Sequence, residues 1–490
     1  MTFNSFEFLI FFSCIVFLFY IIPHVYRWAI LLLASYFFYA KCNPAYGFIL
    51  FLVTAIDYLL AIMMDRYEDK AARKKIFVLG IVFNLGLLFF FKYFNFFIES
   101  FSSLFGTIHI SIWYILLPSG ISYYTFKNIS YLVDVYRKEH KAEKHLGKFA
   151  LYVSFFPEVL CGPIDRSKNL LPQFYQNVVW DYGRFTSGLQ LMFWGYFKKL
   201  VIADRLSLAV NSVYDAPANH SSISLLIATY FFAFQLYCDF SGYTDIAIGI
   251  SKILGYDLTP NFKQPYFARS IGDFWRRWHI SLSNWLRDYL FLPITYTMMD
   301  NIKSDKFFGI RVENFTYCTG ILITWFLGGL WHGSRWTFVV WGLIQGLYLV
   351  VAHLSKNIRK KINRKTKWEK KIPILFCLFQ IFITFHLVCF SWIFFRANSV
   401  SDALYIVTRL FSFSTAGASS ISSILNIDTI LAFISILALL LVEIIEERKG
   451  IQNFLDKRTT WQRYLIYYIG LLYILMFGVF RNTSFIYFQF

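Results

Sequence analysis

Charge is scarce in this chain. Only 16% of its 490 residues are charged, while 57% are hydrophobic; ordinary soluble domains carry roughly 25% and 45–50%. That shortage excludes a soluble globular body. No two of the seven cysteines form a C-x-x-C pair, which argues against a zinc site and a disulfide framework. No linker rich in Pro, Gly or Ser divides the chain, and no repeat recurs at a fixed period. The first apolar stretch, Phe6 to Ile22, lacks a basic start and a small-residue cleavage site, so it reads as a retained helix rather than a signal peptide. Acidic charge is the scarcer sign, leaving a formal net charge of +18. The basic residues sit in short loops between apolar spans. That is the positive-inside distribution of a membrane protein, and no nucleic-acid partner is expected.

What is present is a succession of apolar runs, many about twenty residues long, enough to cross the hydrocarbon core. They cover residues 5–22, 28–40, 47–64, 76–98, 111–133, 147–161, 185–204, 223–250, 315–330, 337–353, 373–395, 428–445 and 463–481. The expected fold is an all-α polytopic membrane protein of about eleven transmembrane helices, with re-entrant or interfacial helices. It forms a single membrane domain, 1–490, in contact with lipid. The basic segments 65–75, 137–148 and 356–371 should be cytoplasmic loops, the last holding nine Lys or Arg and one Glu. Counting from these anchors puts both termini outside, with 397–427 an outer loop and 482–490 an aromatic tail at the outer face.

Two histidines fall at or near membrane depth, where an ionisable group is a functional hypothesis by default. His332 lies in "GGLWHGSRWTFVVWG" (328–342). Gly328, Gly329 and Gly333 leave room for a second backbone or a thin ligand. Trp331, Trp336 and Trp341 would line a narrow, dry channel; the alternative is a core histidine satisfied by a carbonyl. His279 lies in "DFWRRWHISLSNWLRDYLF" (273–291). There Trp278, Leu282, Trp285 and Tyr289 fall on one helical face, reading as an amphipathic helix at the interface or a re-entrant one. Arg276 and Arg277 could hold the phosphates of a coenzyme if that helix turns inward. Asp239 and Asp245, in "QLYCDFSGYTDIAIGI" (235–250), must be paired, hydrogen-bonded or neutral. One could orient His279 or pair with an arginine of the next segment. Metal ligation is not expected, for want of neighbouring ligands. "LPSGISYYTFKNISYLVDVYR" (117–137) and "FFPEVLCGPIDR" (155–166) carry breaks that either line a cavity or are filled by a neighbour.

Together these motifs resemble the membrane-bound O-acyltransferase family. "FWRRWHISLSNWLRDYL" followed by "GLWHGSRWTFVVWG" carries the resemblance. "LPSGISYYTF", "FFPEVLCGPI", "YCDFSGYTDIAIG", "SWIFFRA" (391–397) and "FIYFQF" point to its bacterial branch, typified by alginate O-acetyltransferases. That branch also holds peptidoglycan O-acetylating members and teichoic-acid D-alanyl transferases. The resemblance implies helices around a central funnel or tunnel, with His332 as the family's invariant histidine and His279 as its second. It implies no bound cofactor, acetyl-CoA as cytoplasmic acyl donor, and a cell-envelope glycan as acceptor. An extracytoplasmic acyltransferase- or esterase-like partner protein is also implied. One departure is "TYTMMD" (295–300), where many relatives carry a glycine-rich turn.

The donor thioester lies inside and the acceptor hydroxyl outside, across roughly 30 Å. The tail "SFIYFQF" (484–490) offers a way across. Phe485, Phe488 and Phe490 would dock it in an aromatic outer funnel. Tyr487, deprotonated by His332, would attack the thioester as a nucleophile; the alternative is a tail that only plugs a groove. Two other functions remain open on these residues: D-alanyl transfer to teichoic acid from a carrier-protein thioester, and proton-coupled transport.

Overall fold

The computed structural model describes residues 1–41, 43–106, 117–412, 426–480 and 485–486. These are helical almost throughout. The one sheet among them is a hairpin pairing Lys306–Phe307 with Ile310–Arg311. Many large apolar side chains face outward, among them Phe17, Leu33, Phe48, Phe382 and Met476. A surface of that kind is stable only against lipid. Among the described residues six helices are long and apolar enough to cross a membrane: Pro44–Arg66, Lys70–Ser103, Ser222–Ile253, Trp336–Leu354, Pro373–Arg396 and Ile427–Arg448. Several other expected crossings are shorter or interrupted. The one predicted over 147–161 is a helix only over Leu146–Ser154, because Pro157 follows.

Contacts divide the chain into two compact units. One comprises 1–192 with 243–260, the other 193–242 with 261–490. The helices Tyr182–Tyr196 and Ser222–Ile253 each belong partly to both.

The first unit is built around Ile121–Tyr136, a helix buried on nearly every side despite Lys127, Asn128, Ser130 and Asp134. Lys127 is held by Glu158 at 2.6 Å and by the Tyr152 carbonyl at 2.6 Å. A buried cation needs such partners. Gly120, which starts this helix, has φ +77°, and a Cβ there would stand 2.2 Å from the Val159 carbonyl oxygen. The two broken segments that the sequence left ambiguous therefore close against each other, backbone to backbone. Gly120→Ala is expected to cost about 3 kcal/mol, combining the left-handed penalty with overpacking, and to lower the thermal midpoint in detergent.

Two segments expected as loops are helical at least in part. Residues 356–371 form the exposed helices Lys356–Thr366 and Trp368–Lys371. The stretch 397–427 is in part the helix Val400–Ser412. In both, apolar residues recur at helical spacing between the charged and polar ones.

Candidate active site

The second unit holds both histidines. His332 is the last residue of the helix Val312–His332, and Trp336–Leu354 begins four residues later. Glycines bring these helices into backbone contact. A Cβ on Gly329 would lie 2.4 Å from the Phe338 carbonyl oxygen, and one on Gly342 would lie 2.2 Å from that of Trp325. Gly333 is filled in the same way by the Phe338 ring, 2.2 Å from its virtual Cβ. The glycines around His332 thus serve helix packing, and Gly333 faces an aromatic side chain rather than open space.

The His332 ring is 5% exposed. Aromatic edges surround it: Trp341 at 4.8 Å, Trp331 at 5.0 Å and Phe395 at 5.3 Å between ring centres. Phe395 comes from the "SWIFFRA" run on Pro373–Arg396, and Trp392 of that run stacks on Trp341 at 5.7 Å. Trp336, expected in the same lining, is 54% exposed. It is the first residue of its helix.

The segment around His279 is not one helix. Ile271–Arg277 ends, Trp278 is extended, His279 takes φ 42° and ψ 54°, and Ile280–Leu286 begins. Residues 261–263 splice the break. The Lys263 N–H bonds the Arg277 carbonyl (2.9 Å), and the Asn261 carbonyl accepts the Ile280 N–H (2.9 Å). Asn261 Oδ1 also accepts the Ser281 N–H (3.2 Å) and Ser281 hydroxyl (2.9 Å). These bonds cap the second helix from outside its own sequence and offset the left-handed strain at His279, about 1–2 kcal/mol.

The same bonds define the state of the histidine. An atom that accepts a backbone N–H must be the carboxamide oxygen, so Asn261 Oδ1 is assigned without ambiguity. His279 Nδ1 lies 3.0 Å from it. Nδ1 therefore carries the proton, and Nε2 carries the lone pair. Nε2 has no hydrogen-bond partner among the described residues. Burial holds the imidazole down to about 3, so it is neutral at pH 7. Around it pack Phe240 (4.6 Å) and Trp331 (6.0 Å). Trp331 thus contacts both histidines.

Either Asp239 or Asp245 was expected to orient His279, meet an arginine or be paired structurally; Asp239 is paired structurally. Asn261 orients His279, and Asp239 Oδ1 pairs with Lys199 at 2.5 Å. Lys199 lies on a π-helical turn, Phe197–Ala203, and also bonds Asp204 at 2.8 Å. Arg277 is clamped between Asp273 (3.3 Å) and Glu447 (3.0 Å). Arg276 contacts Asp273 at 3.3 Å and is largely exposed. Two residues that matter here were missed. Lys199 carried a signal, since a lysine inside an apolar run requires a carboxylate partner. Asn261 carried none.

The last described residues reach this region. Phe485 is 3% and Ile486 4% exposed. The Phe485 ring lies 5.8 Å from Phe240, and the Ile486 N–H donates to Asp239 Oδ2 at 2.8 Å. Tyr487, Phe488 and Phe490 lie outside the described residues. Two cavities of the second unit, of about 820 and 930 Å³, run along Pro373–Arg396 and are lined by neither histidine. Both imidazoles are buried, with aromatic rings among their described neighbours.

Known proteins carry the same pattern. Residues 137–395 match the model of the membrane-bound O-acyltransferase family, a span that includes both histidines and ends before the tail. The chain is 35% identical to the probable alginate O-acetylase AlgI of Pseudomonas aeruginosa over 422 residues, 85% of this chain and 76% of that protein. It is 33% identical to the probable alginate O-acetylase AlgI of Azotobacter vinelandii, covering 93% of this chain and 86% of the relative. It is 32% identical to the peptidoglycan O-acetyltransferase of Helicobacter pylori, covering 77% and 72%. The chain belongs to the membrane-bound O-acyltransferase family and is an O-acyltransferase.

Proposed function

We propose that this protein carries an acetyl group from acetyl-CoA, on the cytoplasmic side of the plasma membrane, to a hydroxyl of a cell-envelope polysaccharide outside. Tyr487 is the carrier between the two. One observation supports this reading above others: the C-terminal tail enters the histidine-bearing unit, with Phe485 and Ile486 buried beside the Phe240 ring that also packs on His279. Relatives named for O-acetylation support the choice of acetyl over other acyl groups.

In this scheme His332 accepts the Tyr487 hydroxyl proton as the phenolic oxygen attacks the thioester carbonyl. The C–S bond breaks, the coenzyme leaves as a thiolate that takes up a proton, and an acetyl ester remains on Tyr487. A glycan hydroxyl, or an outer partner protein that passes the group on, then attacks that ester and restores the phenol. His279 presents its Nε2 lone pair as a second proton acceptor. Trp331 and Trp341 keep water from the ester. Arg276, with its exposed guanidinium, is available to the donor's phosphates, a role for which Arg277 is less suited because two carboxylates already hold it. Both termini lie on the outer side.

Purified protein in vesicles, given acetyl-labelled acetyl-CoA on one face, is expected to release acetate or acetylate a glycan on the other. D-alanyl transfer from a carrier thioester in place of acetyl transfer would replace the donor. Neither transfer, from protein with an unchanged melting curve, would remove the proposal.

Asn261→Ala is expected to lower turnover about ten- to a hundredfold, because His279 loses its fixed tautomer. Asn261→Asp keeps an acceptor for Nδ1–H and should recover much of the rate. Its carboxylate favours imidazolium, so the acidic limb of the pH profile should move upward. Wild-type turnover in Asn261→Ala would show that the orientation of His279 is irrelevant to the reaction.

A further inference from the structure

We infer that Asp239 is the latch of the C-terminal tail, a positioning residue whose carboxylate receives the tail's main chain; the inference rests on the tail reading above and adds the residue that holds it. Asp239 is buried within the long helix Ser222–Ile253, where a carboxylate requires partners for both oxygens. Lys199 satisfies Oδ1 at 2.5 Å, and the Ile486 N–H satisfies Oδ2 at 2.8 Å. Lys199 itself is shared, since Asp204 holds it at 2.8 Å from the other side. Lys199, shared between two carboxylates, reaches only Oδ1 of Asp239, so the buried Oδ2 needs a donor of its own, and the tail's amide is that donor.

Local geometry brings these groups together. The wide π-helical turn Phe197–Ala203 buries Lys198 and Lys199 consecutively, with Lys198 bonding Ser241 at 2.9 Å. Gly242 permits the approach, because a Cβ there would lie 2.8 Å from the Gly195 carbonyl oxygen and 3.2 Å from the Lys199 nitrogen. The same turn takes the start of the tail: the Val479 N–H bonds the Leu200 carbonyl at 3.0 Å. The tail is thus tied at Val479 to the turn that carries Lys199, and at Ile486 to the carboxylate that Lys199 holds. Phe240, next to Asp239, touches both His279 and Phe485. Asp239 therefore fixes the tail's main chain one residue before Tyr487, beside the ring that contacts a histidine.

Timed digestion of the full-length protein in detergent with a carboxypeptidase, read by intact mass, measures whether the tail is held. Asp239→Ala and Ile486→Pro, the latter removing the donor N–H and the isoleucine side chain and fixing φ, are each expected to speed release of the terminal residues at least tenfold. The double variant should be no faster than either single one, because both remove the same bond. Ile486→Ala keeps the N–H and should stay sensitive to Asp239→Ala. Additive effects, or an Ile486→Pro tail as protected as wild type, would overturn the latch. Ile486→Pro leaves every α-helix of the second unit intact, and Ile486→Ala controls for the lost side chain, so the pair decides the matter even if Asp239→Ala does not fold. Trimming reports docking and not transfer. A fully active Tyr487→Phe variant would end the acyl relay without touching this result, and a freely trimmed wild-type tail would end the latch alone.

Discussion

His332→Ala is expected to abolish acetyl transfer, by on the order of a thousandfold or more, while the protein stays folded. A positioned base contributes roughly 10²–10⁴ to such a step, and the rings of Trp331, Trp341 and Phe395 that pack on His332 are not bases. Those rings pack on one another as well as on the imidazole. Trp341 stacks on Trp392, and Phe395 lies 5.1 Å from Trp341 and 5.2 Å from Trp392. The helix ends are set by Gly329 and Gly342 rather than by the histidine. Removing the ring therefore leaves the surrounding structure its own contacts. Initial rates with labelled acetyl-CoA, paired with a thermal melt, would separate chemistry from stability. His279→Ala should give a partial loss, because its Nε2 is placed as a second acceptor. Wild-type turnover in His332→Ala would remove His332 from the reaction.

Much of this was readable before any coordinates, and the limits have physical causes. Hydrophobic runs of membrane length survive as helices because lipid leaves a backbone no other way to satisfy its hydrogen bonds. His332 stood out because an imidazole among glycines and tryptophans is costly unless used, and the structure buries it among aromatic rings. Gly329 and Gly333 were read correctly as sites of close approach and Gly328 was not; what approaches is Phe338 of the neighbouring helix, which sequence could not say. Around His279 periodicity misled. Trp278, Leu282 and Trp285 are all buried as their spacing predicts, yet they do not share one helix. Asn261, distant by eighteen residues, supplies the caps that let the chain break between them. A break imposed by a tertiary partner leaves no trace in local period. The π-helical turn that carries Lys199 is equally silent, because it differs from an α-helix by a single extra residue per turn. Asp239 was recognised as needing a partner. Which partner depended on that turn.

Tyr487→Phe is the second large effect, expected to remove transfer to the same extent as loss of any obligate nucleophile, on the order of a thousandfold or more. The substitution keeps the ring and removes only the hydroxyl, so the tail should dock as before and resist carboxypeptidase like the wild type. That pairing matters, because a tail acting only as a plug predicts the same docking with full activity. Intact-mass measurement of the wild-type protein, mixed with acetyl-CoA and no acceptor, should reveal a single acetyl adduct that Tyr487→Phe lacks. The adduct should accumulate because an ester deprived of its acceptor, in a water-poor cage, has nothing to discharge it. Asp239→Ala should also lose the adduct, but with a freely trimmed tail, so the two variants separate a missing nucleophile from a misplaced one. Full transfer by Tyr487→Phe would mean that the glycan hydroxyl itself reaches the thioester. The space beside His332 would then have to admit a sugar rather than the tip of one side chain.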